Sequence, residues 1–288
     1  MKKATYILTL LVVTLTSCDK YDVGGLFASS SPGSDSRFSQ SMEWNKVYGY
    51  QSITVPDNYK AYLCTDSHVT DSNEHVKKFV LAYRSDKDCP FAINLGDLIN
   101  SKNMFPKYNE ALNVYPDDYV PGKDTMFISA GNHDLYFSQW SEFVKYYHTS
   151  TYWFETVSAT DGRKLDLYIC IDSANGTLGT DQTDWLENLL KEKSGEGYRH
   201  IIVFTHTHFF MRDYSQSHTS NFAMEETYEL CDLFRRYNVE LCLTGHCHYN
   251  TFTRYNNVDY LVVNALEENR YTVLYVGDAI FWKDYALK

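Results

Sequence analysis

Five short stretches of this chain carry side chains that can do chemistry together: Asp66-Ser67-His68, Gly96-Asp97, Gly131-Asn132-His133-Asp134, Thr205-His206 and Gly245-His246-Cys247-His248. They hold five of the ten histidines. Imidazole, carboxylate and amide oxygen are the donors that divalent transition ions select, and the lack of thiolate-rich clusters argues against a structural zinc ribbon. Each stretch alone has a plainer reading. Asp66-Ser67 can cap a helix, Gly-Asp and Gly-Asn are common turns, and a histidine near a strand end is more often a rim or core residue. Five such turns in one chain, each supplying a metal-competent group, favour one shared centre. A glycine lets the chain turn sharply as it leaves a strand and brings the next side chain close to a common point.

The surrounding sequence alternates strand and helix. Residues 61–64 read as a buried strand, and Val76, Phe79, Val80 and Tyr83 follow at helical spacing. Residues 91–95 and 126–130 are a second and third strand, with Trp140, Val144 and Tyr147 marking a helix after them. Residues 165–171 alternate apolar and polar behind the hairpin turn Asp161-Gly162, which pairs them with 152–157. Trp185, Leu186, Leu189 and Leu190 give another helix, 200–204 a strand, Leu230, Leu233, Phe234 and Tyr237 a helix, and 239–243 a strand. The tail, with runs at 260–263, 271–276 and 279–282, predicts antiparallel strands. This is an α/β pattern with a largely parallel sheet and right-handed crossovers. Ligand sites in such sheets lie beyond the carboxyl ends of strands, where the five stretches fall.

The chain has 288 residues, 44% of them apolar and 22% charged, which suits one large domain with a sizeable core and excludes disorder for the bulk of it. Its net charge of -11 excludes the basic footprint that holds long nucleic acids by counterion release. Phosphate, if bound, must be held by something other than bulk charge.

Residues 1–18 read as an export signal: Lys2 and Lys3, a 12-residue apolar run from Ala4 to Leu15, then small residues. The run falls short of the roughly 20 residues that span a bilayer. Leu15-Thr16-Ser17-Cys18 resembles the lipobox of bacterial lipoproteins, which implies acylation of Cys18 and a membrane anchor on the periplasmic or cell-surface side; ordinary secretion is the alternative. Residues 19–43, rich in Ser and Gly, predict a flexible tether, and 44–288 the folded domain. Cys64, Cys170 and Cys242 in strand-like runs, and Cys231 in a helical pattern, read as small core residues.

The ordered series Asp-x-His, Gly-Asp, Gly-Asn-His-Asp, His and Gly-His-x-His, from about residue 60 to 250, resembles the calcineurin-like metallophosphoesterases. The resemblance implies two mixed β-sheets packed face to face and flanked by helices, with 44–288 as the catalytic domain. It implies two divalent metal ions, manganese, iron or zinc. One would be held by Asp66, His68, Asp97 and His248, the other by Asp97, Asn132, His206 and His246, with Asp97 bridging. His133 is similar to the family's non-ligand histidine beside the leaving group, and Asp134 to the acid that orients it. Two cations about 3.5 to 4 Å apart activate a water and clamp the attacking and leaving oxygens of an in-line displacement at phosphorus, so no Ser or Cys nucleophile is needed.

Two departures narrow the branch. Purple acid phosphatases carry a tyrosine where this chain has Asn100, and a small residue where it has His68. The Asp-x-His opening is closer to the bacterial phosphodiesterase-like branch, whose chemistry is mixed. The expectation is therefore a phosphatase or phosphodiesterase of the cell envelope acting on small phosphoesters. A pyrophosphate hydrolase, a hydrolase of another bond, and a binding lipoprotein using the fold as a scaffold are the alternatives. His208, Phe209-Phe210 and the polar stretch 221–228 are candidate substrate-facing residues, against a plainer reading as rim and core.

Overall fold

The computed structural model describes residues 27–115, 126–210 and 221–288. The expected export signal, Cys18 and the first part of the expected tether lie outside the described residues. In chain order the first elements are α1 (Ser34–Tyr48), β1 (Gln51–Val55), β2 (Tyr59–Cys64), α2 (Glu74–Ser85), β3 (Phe91–Asn94), α3 (Phe105–Leu112) and β4 (Met126–Ile128). There follow α4 (Trp140–Tyr147), β5 (Tyr152–Ser158), β6 (Lys164–Cys170), α5 (Thr180–Lys193), β7 (His200–Phe204) and α6 (Met224–Arg236). The last are β8 (Leu241–Thr244), β9 (Thr251–Tyr255), β10 (Val258–Val262), β11 (Arg270–Val276) and β12 (Ile280–Ala286). Short 3-10 turns at Tyr136–Ser138 and Leu266–Glu268 complete the set.

These strands form two mixed sheets, a seven-stranded one in the order β1-β5-β6-β7-β8-β10-β9 and a five-stranded one in the order β12-β11-β2-β3-β4. The pairs β2-β3, β3-β4, β6-β7 and β7-β8 are parallel. The carboxyl ends of the strands that precede the five motif turns therefore gather on one edge. Between the sheets lies an apolar layer that includes Leu63, Phe91, Ile93, Phe127, Phe154, Tyr168, Ile202 and Leu243. Stacked rings cross it: Phe127 on Phe154 at 3.6 Å and Phe154 on Tyr168 at 4.7 Å. The outer faces pack helices. Val76, Phe79, Phe105, Phe143 and Tyr147 cover one sheet, and Leu186, Leu190, Leu230 and Phe234 the other. The architecture is the two-sheet sandwich that the motif order implies.

The tether is corrected from Ser34 onward. A serine-rich stretch is folded there because polar rather than apolar anchors hold it. Arg37 is buried and forms a bidentate pair with Asp172, Nε to Oδ2 and Nη2 to Oδ1, both at 2.8 Å. Ser34 Oγ donates to Asn175 Oδ1 at 2.9 Å, and Asn45 Nδ2 to the Thr151 carbonyl at 2.7 Å. Phe38 packs on Trp185. Removing one partner of a buried ion pair generally costs about 3–5 kcal/mol, so α1 is an integral part of the domain. Cys64, Cys170, Cys231 and Cys242 are free and buried, as their contexts predict. Among the described residues no helix is long and apolar enough to cross a membrane.

Candidate metal centre

Asp66 and His68 follow β2, Asp97 follows β3, Asn132 and His133 follow β4, His206 follows β7, and His246 and His248 follow β8. The turns extend the ladders and tie to one another. Asp66 N–H donates to the Gly96 carbonyl at 2.9 Å, His68 N–H to that of Asp97 at 3.1 Å, and Gly245 N–H to that of His206 at 2.9 Å. The backbone leaves ordinary L-residue space to do this, with φ of +48° at Asp66, +41° at His68, +54° at Asp97, +71° at His246 and +58° at His248. Such conformations cost of order 1–3 kcal/mol each and persist where the surroundings over-determine them, typically at functional sites. The approach is close enough to need glycine: a Cβ on Gly131 would overlap the Asp97 carboxylate, and one on Gly245 the Thr65 hydroxyl.

Each carboxylate has one oxygen anchored and the other presented inward. Asp66 Oδ2 accepts from Thr65 Oγ1 at 2.8 Å and His246 N–H at 2.9 Å. Its Oδ1 is buried without a hydrogen-bond partner, facing His248 Nε2 at 3.3 Å and His68 Nε2 at 3.6 Å. Asp97 Oδ1 accepts His133 N–H at 2.8 Å. Its Oδ2 lies 3.7 Å from His68 Nε2 and 3.3 Å from His206 Nε2, so one oxygen faces both halves of the cluster.

The second half shows most plainly what the site fits. His206 Nδ1 donates to the Leu95 carbonyl at 2.9 Å, so Nε2 is the atom turned inward, protonated in the protein alone and able to offer its lone pair once that proton leaves. That atom faces Asn132 Oδ1 at 3.0 Å and His246 Nδ1 at 3.1 Å as well as Asp97 Oδ2. The Asn132 amide is fixed oxygen-inward because its Nδ2 donates to Tyr136 OH at 2.8 Å. Oxygen and nitrogen donors thus converge on one point, where a cation can take the place of the imidazole proton. In the other half His68 Nε2 and His248 Nε2 stand 3.1 Å apart. The residues present fit a pair of divalent ions with mixed oxygen and nitrogen donors.

The electrostatics agree. Burial opposes the charges of Asp66 and Asp97, yet the imidazoles around them, His248 and His68 for the first, His206 and His133 for the second, hold both carboxyls below their usual range. Against its own burial, His206 is lifted to about 9 by Asp97. His248 is lifted to about 10 by Asp66 and Glu267. His246, buried beside His206, is pushed well down. In the protein alone, protons on imidazoles balance the carboxylates, and divalent ions would take over that role.

All seven expected ligands come together, and His133 stands beside them, its ring 4.6 Å from that of His68. Burial pushes its imidazole down, so it presents a neutral ring near pH 7. Asp134 is a correction. It does not orient His133: its carboxylate accepts from Asp97 N–H at 3.0 Å, Leu98 N–H at 3.0 Å and Gly131 N–H at 2.9 Å. A carboxylate buried this deeply, with its pKa raised to about 7 by burial and by the charge of Asp97, takes the nearest donors, which are backbone. Asp134 is a positioning residue for the Asp97 turn. Asn100 is exposed and carries no tyrosine toward the cluster. His208 is buried, not a solvent-facing rim residue, with its ring 5.6 Å from that of His246.

Two residues escape the sequence reading. Tyr136 orients Asn132, and Glu267 Oε1 accepts from His248 Nδ1 at 3.0 Å, which directs His248 Nε2 at Asp66. Glu267 sits on the 3-10 turn after β10, and its N–H docks on the Asp66 carbonyl at 3.2 Å. No motif spacing marks it, because the connection runs through folding alone. Outer-shell carboxylates of this kind set ligand tautomer and orientation. Glu267→Ala should weaken metal binding about 10- to 100-fold in competition with a zinc indicator, with Glu267→Gln retaining part of the affinity. Wild-type affinity in both variants would remove Glu267 from the site.

A family model described as calcineurin-like phosphoesterase matches residues 59–250, a span that contains every motif turn. The chain belongs to that family, whose members use dinuclear metal centres. It is 26% identical over 189 residues to rat serine/threonine-protein phosphatase CPPED1, an alignment spanning 61% of this chain and 59% of that protein. A dimetal phosphatase from Danio rerio has the same fold, with a TM-score of 0.61 at 12% identity, covering 80% of this chain and 96% of that one. GAP50, described as the anchor in the inner membrane complex of Plasmodium, gives 0.58 at 12% identity, covering 80% and 85%. At these identities the two structures speak to fold alone.

Proposed function

We propose that the protein is a two-metal phosphoester hydrolase of the cell envelope that acts on small phosphomonoesters or phosphodiesters. The observation that carries this reading is the Asp97 carboxylate, one oxygen of which faces His68 on one side and His206 on the other, amid six further donor residues. When bound, a pair of divalent ions supplies Lewis acidity at phosphorus and a nucleophile at neutral pH.

The chain's own residues do the rest. Asp66, His68 and His248 would hold one ion, Asn132, His206 and His246 the other, and Asp97 would serve both. Membership of the calcineurin-like phosphoesterase family and the similarity to a protein phosphatase support the reaction class. His133 stands at the edge of the cluster, where its ring N–H reaches the departing oxygen and donates to it. Its backbone N–H holds Asp97 Oδ1, so the leaving-group side and the shared carboxylate are fixed to each other. Asp134 locks the same turn from behind. The experiment is hydrolysis of p-nitrophenyl phosphate and its bis ester by chelated protein before and after manganese, zinc or iron is restored. Activity should appear only on restoration, and equal rates in both forms would discard the reading.

The envelope placement rests on residues 1–18 and the lipobox-like Leu15-Thr16-Ser17-Cys18. Acylation of Cys18 would tether the domain to a membrane. Cys18→Ala should move the protein from the membrane pellet to the soluble fraction, and unchanged sedimentation would remove the anchor.

A further inference from the structure

We infer that the cavity beside His208 receives the organic group of the phosphoester, and that this group is flat and uncharged, of aryl or nucleobase size. The inference rests on the reading of the metal cluster as the phosphoester centre and names its substrate class. The cavity is about 430 Å³, within the usual range of roughly 300–1,000 Å³ for small-ligand sites, and His208, Phe209, Phe210, Phe222, Met224 and Tyr228 line it.

Its position ties it to the centre. His246 Nδ1 is 3.1 Å from His206 Nε2, and the His208 ring lies at 28° to that of His246 with centroids 5.6 Å apart. His208, which lines the cavity, thus packs against a member of the cluster, and this adjacency is what makes the cavity the candidate for the group esterified to a phosphoryl held there.

The lining selects for shape and charge. Phe209 is fixed by Phe222, Phe234 and Tyr260 at centroid distances of 5.1, 5.7 and 5.3 Å, and Phe210 stands edge-on to Tyr260 at 5.0 Å, so the floor is rigid and aromatic. At the mouth, Tyr228 is 52% and Met224 63% exposed, large apolar groups with open faces. A flat ring entering between them gains stacking and excludes water. Among the described residues none that lines the cavity is an acid, a lysine or an arginine, and Glu225 and Glu226 occupy the first turn of α6 beside it. Among the described lining residues a second phosphate finds no arginine or lysine to hold it.

The test compares phenyl phosphate, a nucleoside 5′-monophosphate, hexyl phosphate and glycerol phosphate as substrates of the manganese-loaded full chain and of its Tyr228→Ala and Phe210→Ala variants. In parallel, calorimetry measures binding of phenylphosphonate and methylphosphonate. The wild type should favour at least one of the two flat esters over glycerol phosphate, and phenylphosphonate over methylphosphonate, by about ten-fold or more in kcat/KM and Kd, and each variant should shrink that preference about ten-fold through KM. Phenyl phosphate and the nucleotide separate an aryl from a nucleobase occupant. Turnover of all four esters without preference, or preference for the hexyl ester, would overturn the cavity assignment and leave the phosphoester reading standing. Absence of turnover would overturn that reading instead, and the phosphonate comparison would still decide the cavity.

Discussion

Asp97→Asn should lose metal at both halves of the cluster, with affinity falling by at least about 100-fold, the upper end of what loss of an outer-shell partner costs. The substitution keeps volume and changes only charge and donor pattern. Asp97 Oδ1 accepts His133 N–H at 2.8 Å, and Oδ2 faces His68 at 3.7 Å and His206 at 3.3 Å. An asparagine can satisfy only one of these demands. With its amide nitrogen inward, two protons point at the space where cations would sit. With it outward, N–H meets the His133 N–H and that hydrogen bond is lost. The backbone of the turn should hold, because Asp134 still receives the N–H groups of residues 97 and 98. Metal content after equilibrium dialysis measures the effect. Two equivalents retained at wild-type affinity would mean that the shared oxygen is not a ligand.

His133→Ala should do the opposite, keeping both metals while turnover falls by roughly 10²-fold or more, the usual scale for losing a placed hydrogen-bond donor to developing negative charge. The two outcomes are distinguishable because the backbone N–H that anchors Asp97 survives in alanine while the ring is removed. The ring nitrogen lies within 4.8 Å of donor atoms of His68 and Asp97, close enough for the question to be real. If the variant lost metal in proportion to rate, His133 would be a ligand and its role beside the departing oxygen would fall.

Much of this site is legible in the sequence because its ligands obey a local rule: each follows a strand directly, and the strands announce themselves by short apolar runs such as residues 91–95 and 200–204. A shared point beyond parallel strand ends then follows from topology. What stays hidden depends on contacts distant in sequence. Glu267 reaches His248 only because the turn after β10 docks on the Asp66 carbonyl. Asp134 lies next to His133, and adjacency invites pairing, but burial drives its carboxylate onto three backbone donors instead. Helix α1 is missed for a related reason. Its composition resembles a linker, and what orders it is the Arg37–Asp172 pair, 135 residues apart in sequence. Strands β1 and β9 lie at sheet edges with half their residues exposed, so hydrophobic patterning marks them weakly. The aromatic excess, by contrast, goes mostly where composition points, into the ring stack between the sheets and the helix cores around it.

The net charge of -11 sits easily with a phosphoester substrate once the site is in view. Asp66 and Asp97 contribute to that count, and two divalent ions between them would make the local field positive where a phosphoryl group binds. Small esters can reach such a point, while an acidic surface turns away long polyanions.

The central claim is that one carboxylate organises two cation sites that act as a unit. Stepwise addition of manganese to chelated protein, with hydrolysis of bis(p-nitrophenyl) phosphate followed at each step, tests it most directly. The rate should stay low until the second equivalent binds and then saturate at two per chain. Full activity in the metal-free protein, or saturation at a single equivalent, would contradict it.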